Sequence, residues 1–89
     1  MHDNKNEIED FTQFAASRLK IHQDELHTRY RNESIDKETL EQGYEEHRKI
    51  FRQELKEKAD TILAEKESPR LREVLNSISL NTVKQLSIN

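Results

Sequence analysis

One long stretch of the chain, residues 36–66, contains no proline and repeats its apolar side chains at the spacing of a helix. Successive members of this stripe are three or four residues apart, which places them on one face of an α-helix. The members are Leu40, Tyr44, His47, Phe51, Leu55, Lys58 (through its methylene stem) and Ile62. Asp36 can cap the first turn, and Ser68 with Pro69 marks the far end, because the residue before proline disfavours helical backbone. The sequence therefore predicts a long amphipathic helix over residues 36–66.

A second stripe of the same kind lies in residues 4–31 and predicts another long helix. Its members are Ile8, Phe11, Ala15, Leu19, His22, Leu26 and Tyr30. Asn4, with Glu7 three residues later, resembles a capping box for the first turn. The break between the two stretches, residues 32–35, is so short that it predicts antiparallel neighbours.

The two stripes can be compared directly in such a hairpin. One antiparallel register brings the stripes face to face along their whole length, because the residue numbers of the facing pairs have the same sum to within one. Leu19 then faces Phe51, and Ala15 faces Leu55. A hairpin of two helices still leaves much of each stripe in water, so a further apolar surface must cover it.

A shorter third helix is predicted over residues 69–79, with Ser68 as its cap and Pro69 at its first position. The tail, residues 80–89, is consistent with two structures. It could continue the helix through Thr82, or it could be an extended arm, because apolar and polar residues alternate there and serine and asparagine are weak helix formers.

The composition favours helices over sheets. The chain has one glycine and one proline in 89 residues, too few for the tight turns of several hairpins. Hydrophobic residues make up 31% and charged residues 37%, so the core of a single domain over residues 1–89 must be thin. We expect an all-α fold: an antiparallel two-helix hairpin with a shorter third C-terminal helix, which a second copy could complete as a bundle.

Several classes of function are disfavoured. The absence of cysteine excludes disulfides, thiolate metal ligands and a cysteine nucleophile. The sequence has no phosphate-binding glycine loop, nucleophile elbow or zincin motif, and a narrow helical hairpin offers no deep cleft. We therefore expect no enzymatic activity, no cofactor and no small-molecule substrate. Because no apolar run reaches about 18 residues and the N-terminus is polar, we expect a cytoplasmic protein with no membrane segment.

Two histidines meet in the predicted hairpin, because the register places His22 opposite His47. Facing imidazoles can bind zinc or titrate near about pH 6. The favoured interpretation is a polar layer that fixes the register, with each ring bonded to a neighbour or to water. A metal site is the weaker alternative, since neither histidine has an acidic residue three positions before it. This alternative predicts that zinc raises the melting temperature.

The face opposite the stripe in the second predicted helix is charged. Opposite charges stand four residues apart, including Glu45 with Lys49 and Glu54 with Lys58. Carboxylates on this side are expected to face water and to keep their ordinary acidity. Gly43 is unusual inside a helix, where it costs about 1 kcal/mol relative to alanine. It either permits the close approach of another helix or marks a fraying first segment, and the second interpretation is favoured.

Apolar residues outside the two main stripes predict a surface for a partner. The full set is Phe14, Ile21, Ile50, Leu63, Leu71, Leu75, Ile78, Leu80, Val83 and Leu86. The third helix, a second copy or another protein should pack on them. We expect a small interaction protein, such as an adaptor, a chaperone-like protein or an inhibitor, that acts by helix–helix binding to another protein or as a homodimer.

A nucleic-acid-associated regulator is the alternative function. Arg48, Lys49, Arg52 and Lys56 crowd one part of the second predicted helix, and such a stripe can follow a phosphate backbone. Acidic residues interrupt it, and the net charge of −3 with an isoelectric point of about 5.8 disfavours nucleic acid. Retention on a DNA column that disappears at modest salt would support this alternative.

Overall fold

Three helices make up the computed structural model of the chain, which describes residues 4–31 and 35–87. They are α1 (Lys5–Arg29), α2 (Lys37–Glu65) and α3 (Pro69–Lys84). Each helix packs against the other two, so the predicted all-α fold is confirmed. Residues 32–34 of the predicted connection and residues 88–89 of the tail lie outside the described residues.

The beginnings of α2 and α3 follow the capping signals in the sequence. The Asp36 carboxylate accepts a hydrogen bond from the backbone N–H of Thr39 at 2.7 Å. The Ser68 hydroxyl accepts one from the N–H of Leu71 at 3.3 Å, and proline occupies the first turn of α3. Each cap satisfies a backbone donor that has no partner inside its helix, which is why both helices begin where predicted.

The capping box predicted at the start of α1 does not form. Asn4 precedes the helix, but its side chain makes no capping hydrogen bond. Its backbone (φ −90°, ψ 14°) is not the extended form from which an N-cap side chain reaches back to the first turn. Glu7 is engaged elsewhere, because its carboxylate lies 3.5 Å from the Lys66 ammonium beyond the end of α2.

The α1 and α2 helices are antiparallel. Asp10 in the first half of α1 pairs with Lys58 in the second half of α2 at 3.2 Å. At the opposite end, a Cβ placed on Gly43 would overlap the ring of Tyr30, and Gly43 is buried. The structure thus supports the close-approach interpretation of Gly43, with the tyrosine side chain as the approaching group, rather than a frayed first segment.

The core lies where the three helices meet. Its largest fully buried side chains come from all three helices and from the residues just after α3; they are Phe11, Leu26, Phe51, Leu55, Leu71, Leu75 and Leu86. Burying a large apolar side chain contributes about 1.5 to 3 kcal/mol, so these contacts supply most of the driving force for folding. Within residues 4–31 and 35–87, none of the helices combines the length and hydrophobicity that crossing a bilayer requires.

The α3 helix continues to Lys84, past the predicted end at residue 79. The helical alternative for the tail is therefore the observed one over this range. Val83 is buried, and Leu86 directly after the helix is fully buried. The Leu86 carbonyl also accepts a hydrogen bond from the Arg48 guanidinium of α2 at 2.9 Å. Tertiary burial thus outweighs the weak helix propensity of the serines and asparagines in this segment.

Candidate functional site

Two histidines lie in contact at the interface between α1 and α2. The Nδ1 atoms of His22 and His47 are 2.8 Å apart, and their rings are nearly perpendicular at 85°. His22 is buried, with 2% of its surface exposed, whereas His47 is half-buried. The rings therefore face each other as the register predicts, and His47 gives the pair access to solvent.

A chain of polar contacts extends from this pair. Nε2 of His22 lies 2.8 Å from Oε1 of Glu54. The Arg18 guanidinium donates two hydrogen bonds to the same carboxylate, at 3.2 and 2.6 Å. We call Arg18, His22, His47 and Glu54 the polar network. Each member has at least one partner within it, so the cost of burying polar groups is offset by hydrogen bonds.

The predicted role of Glu54 is wrong. The sequence placed it on the water-facing side with Lys58, but Glu54 faces α1 and bridges Arg18 and His22. Lys58 pairs instead with Asp10 and lies over the Phe14 ring at 5.5 Å. Both residues therefore pair with α1, and the predicted ion pair between Glu54 and Lys58 within α2 is absent from the ion pairs of the described residues. The reason is that Glu54 stands at the edge of the apolar stripe, where a side chain can reach the neighbouring helix.

The charge of Glu54 fixes the tautomer of His22. Burial acts to raise the pKa of Glu54, but hydrogen bonds from Arg18 and His22 outweigh it, and the pKa lies below its ordinary value. A carboxylate only accepts hydrogen bonds, so Nε2 of His22 must carry the proton that it donates. In a neutral His22 the lone pair is then on Nδ1, and the hydrogen between the two rings belongs to His47.

The surroundings of His47 disfavour its protonated form. Burial lowers its pKa, and the neighbouring His22 lowers it further, against the opposite effect of Glu25. Two imidazoles with their Nδ1 atoms in contact therefore sit beside the Glu54 carboxylate. Nδ1 of His47 can act as a metal ligand when its hydrogen has moved to Nε2 of the same ring.

Glu25 is the group that sequence reasoning missed. One ligand atom each from His22, Glu25 and His47 lie within 4.8 Å of one another. Glu25 follows His22 by three residues, so both are on the same face of α1. The signal for it in the sequence is an acidic residue three positions after a histidine. Glu25 is exposed and, with His47, lines a shallow surface depression.

A second feature is a groove of about 590 Å³ between α2 and α3. Its apolar lining is Ala59, Leu63, Leu80 and Val83. Among the described residues that line it, five are basic, namely Arg48, Arg52, Lys56, Arg72 and Lys84, and one is acidic, Asp60. We call this feature the basic groove. Its chemistry is an apolar floor with a cationic rim.

Most cations of the rim are paired at the surface, whereas Arg48 is half-buried and also donates to the Leu86 carbonyl. Lys56 lies 3.3 Å from Asp60, and Arg52 lies 3.5 Å from Glu45, which also accepts from Arg48 at 2.8 Å. The hydrogen bonds and charge of Arg48 lower the pKa of Glu45. Exposed ion pairs contribute about 0 to 1 kcal/mol, so Arg52 and Lys56 can exchange partners at little cost.

The predicted partner-binding residues divide by burial. Five are buried within the chain: Leu63, Leu71, Leu75, Val83 and Leu86. Phe14 and Ile78 are partly buried against the same core. Ile21, Ile50 and Leu80 are exposed, with 41%, 52% and 64% of their surfaces accessible. Most of the predicted surface is thus buried within the chain itself. Leu80 is the exposed member that lines the basic groove.

The residues of the predicted nucleic-acid surface are only partly brought together. Arg48, Arg52 and Lys56 line the basic groove, whereas Lys49 is exposed outside its lining. Arg72 and Lys84 of α3 join the first three there. The site is therefore built by two helices rather than by one stripe on α2.

No protein-family model, curated protein or solved structure matches this chain. The function must therefore be argued from the chemistry of the two sites.

Proposed function

We propose that this protein is a small non-enzymatic interaction module that binds an amphipathic helix with acidic flanks, presented by another protein, in the basic groove. The observation that supports this proposal is the combination of an apolar floor with a cationic rim in one groove. Binding would act by occlusion or scaffolding, with no bond made or broken.

The floor of the groove suits an apolar helix face. Leu80 is a large side chain with 64% of its surface exposed, and it lies beside Leu63 and Val83 in the lining. An exposed apolar patch with a polar rim is typical of a protein-binding surface. Helices bind such grooves through apolar residues spaced three or four positions apart. A partner leucine or phenylalanine packed on Leu80 would remove apolar surface from water on both sides.

The rim selects the charge of the partner. The whole chain has a net charge of −3, yet five of the six charged residues that line the basic groove are cationic. Positive charge is therefore concentrated at one place on an acidic protein. Acidic residues flanking the apolar face of a partner would match this rim, which raises the association rate and suppresses basic partners.

Nucleic acid is the second candidate, because Arg48, Arg52 and Lys56 line the same groove. Phosphates would pair with the rim but would gain nothing from the apolar floor. The lining contains no aromatic side chain on which a base could stack. A protein partner with an apolar face and acidic flanks would therefore use both the apolar floor and the cationic rim, whereas a nucleic acid would use the rim alone.

The test uses a labelled peptide of about 16 residues with leucines at helical spacing and glutamate flanks. Fluorescence anisotropy would compare it with the same peptide carrying lysine flanks and with a short DNA duplex. We expect binding of the glutamate peptide only. Leu80→Gln and Lys84→Glu should each weaken it by about tenfold, because each removes one half of the recognition.

Ile50→Gln is the matched control, since Ile50 is similarly exposed but does not line the basic groove. It should leave peptide binding unchanged. Equal binding of both peptides, or binding that survives Leu80→Gln, would contradict the proposal. DNA binding that disappears with modest salt would instead support the nucleic-acid candidate.

A further inference from the structure

We propose that His22, Glu25 and His47 form a binding site for a divalent transition metal ion, with Zn²⁺ as the ion that fits best. One ligand atom from each residue already lies within 4.8 Å of the other two. Two imidazole nitrogens and one carboxylate oxygen are a ligand set that zinc accepts, with a water molecule in the fourth position. The site lies at the α1–α2 interface and is independent of the basic groove.

Glu54 in the polar network orients His22 so that its Nδ1 atom faces His47. Nε2 of His22 lies 2.8 Å from Oε1 of Glu54, so the tautomer that can bind a metal at Nδ1 is the one that Glu54 stabilises. Nδ1 is the atom that faces His47, at 2.8 Å. Metal-binding histidines usually donate their second N–H to a carboxylate, which sets the tautomer and orients the ring. Arg18 in turn holds Glu54 with two hydrogen bonds.

Metal binding would require the hydrogen on Nδ1 of His47 to move to Nε2 of the same ring, so that both Nδ1 lone pairs can face the metal. Zinc–nitrogen distances of about 2.0 to 2.1 Å in a tetrahedral site require the two nitrogens to be about 3.3 Å apart. The observed separation of the Nδ1 atoms is 2.8 Å, so the rings must move apart slightly. The buried His22 is held by Glu54, and His47 is the ring that is free to move, because it is half-buried and lines an open depression.

The electrostatic surroundings are mixed but acceptable for a cation. Asp24 and Glu25 line the depression together with His47, and Arg29 is the opposing charge there. The Arg29 guanidinium lies over the Tyr30 ring, 5.4 Å from its centre. A bound Zn²⁺ would gain a direct bond to Glu25, which is exposed and can reorient.

The experiment titrates the full chain, after removal of metal by a chelator, with Co²⁺ and then Zn²⁺. Tetrahedral cobalt coordination gives visible absorption bands that zinc should abolish by competition, and zinc should raise the melting temperature. We expect Glu25→Gln and His47→Gln each to weaken cobalt and zinc binding by about tenfold or more. Glu25→Gln is the more informative variant, because Glu25 is exposed and outside the polar network.

Two other histidines supply the controls. His27→Gln removes an exposed imidazole from α1, and His2→Gln removes the imidazole of the N-terminal segment. Both variants should bind cobalt and zinc like the parent chain. Failure of the parent chain to bind either metal would overturn the proposal, and so would binding that survives Glu25→Gln and His47→Gln. Neither result would affect peptide binding in the basic groove.

Discussion

The two faces of α2 show opposite solutions to packing against a neighbouring helix. Toward α1, α2 contributes His47 and Glu54 to the polar network, whose members bond to one another. Toward α3, it contributes buried apolar side chains, and its charges lie only at the rim of the basic groove. The first interface satisfies its polar groups internally. The second leaves Leu80 and several cations of the basic groove exposed.

This difference separates an interface that fixes the register of two helices from the one at which we propose that a partner binds. Sliding α1 along α2 would part Glu54 from Arg18 and His22, leaving charged groups unpaired at a partly buried position. The polar network therefore fixes one register. Apolar packing against α3 carries no such register penalty, because apolar side chains have no hydrogen-bond partners to lose.

The largest expected effect comes from the apolar side. Leu75→Ala should lower the free energy of unfolding by about 2 to 5 kcal/mol, because Leu75 is fully buried and truncation leaves a cavity. Leu80→Ala, in the same helix, should change it by less than about 0.5 kcal/mol, because Leu80 is largely exposed. Urea unfolding measures both. Equal effects of the two substitutions would show that the packing of α3 differs from the one described.

Next in size is the polar network. Glu54→Gln should lower the free energy of unfolding by about 1 to 3 kcal/mol, because the amide cannot match the charge-assisted bonds to Arg18 and His22. Glu41→Gln is the control, since Glu41 is exposed on the same helix. Chelator-treated protein should be used, so that metal binding does not contribute. A loss no greater than that of the control would mean that the network adds nothing to stability.

A smaller effect is expected at the loop end of the α1–α2 interface. Gly43→Ala should gain about 1 kcal/mol from helix propensity when Tyr30→Ala has removed the overlapping ring. With Tyr30 in place, the added methyl displaces the ring and the gain should shrink or change sign. A double-mutant cycle by thermal unfolding measures the coupling. Additive effects would show that Tyr30 does not lie on Gly43.

The smallest effect is expected at the rim of the basic groove. Arg52→Gln should change stability by less than about 0.5 kcal/mol, because its ion pair with Glu45 is exposed and spans 3.5 Å. Arg18→Gln should cost about 1.5 to 3 kcal/mol, because Arg18 makes two charge-assisted hydrogen bonds to Glu54. Chemical unfolding of the two variants side by side tests the contrast. A cost at Arg52 as large as that at Arg18 would remove the distinction between the two interfaces.

Much of the candidate metal site could be predicted from the sequence, and the carboxylate that supports His22 could not. Pairing two helical stripes was enough to bring His22 and His47 together. Glu25 was missed although its spacing from His22 is local and readable. Glu54 could not have been placed, because its partners Arg18 and His22 are on another helix and no pattern within α2 indicates them.

The sequence by itself determined the helices, two of their caps and the antiparallel register of the first two, because these follow from periodicity and from contacts between residues a few positions apart. Only the tertiary structure decided that α3 continues to Lys84, that Gly43 accommodates Tyr30, and that cations from α2 and α3 share one groove. Each of these depends on which side chains from separate helices meet. A residue at the edge of a stripe can face either water or a neighbouring helix, and only packing selects between the two.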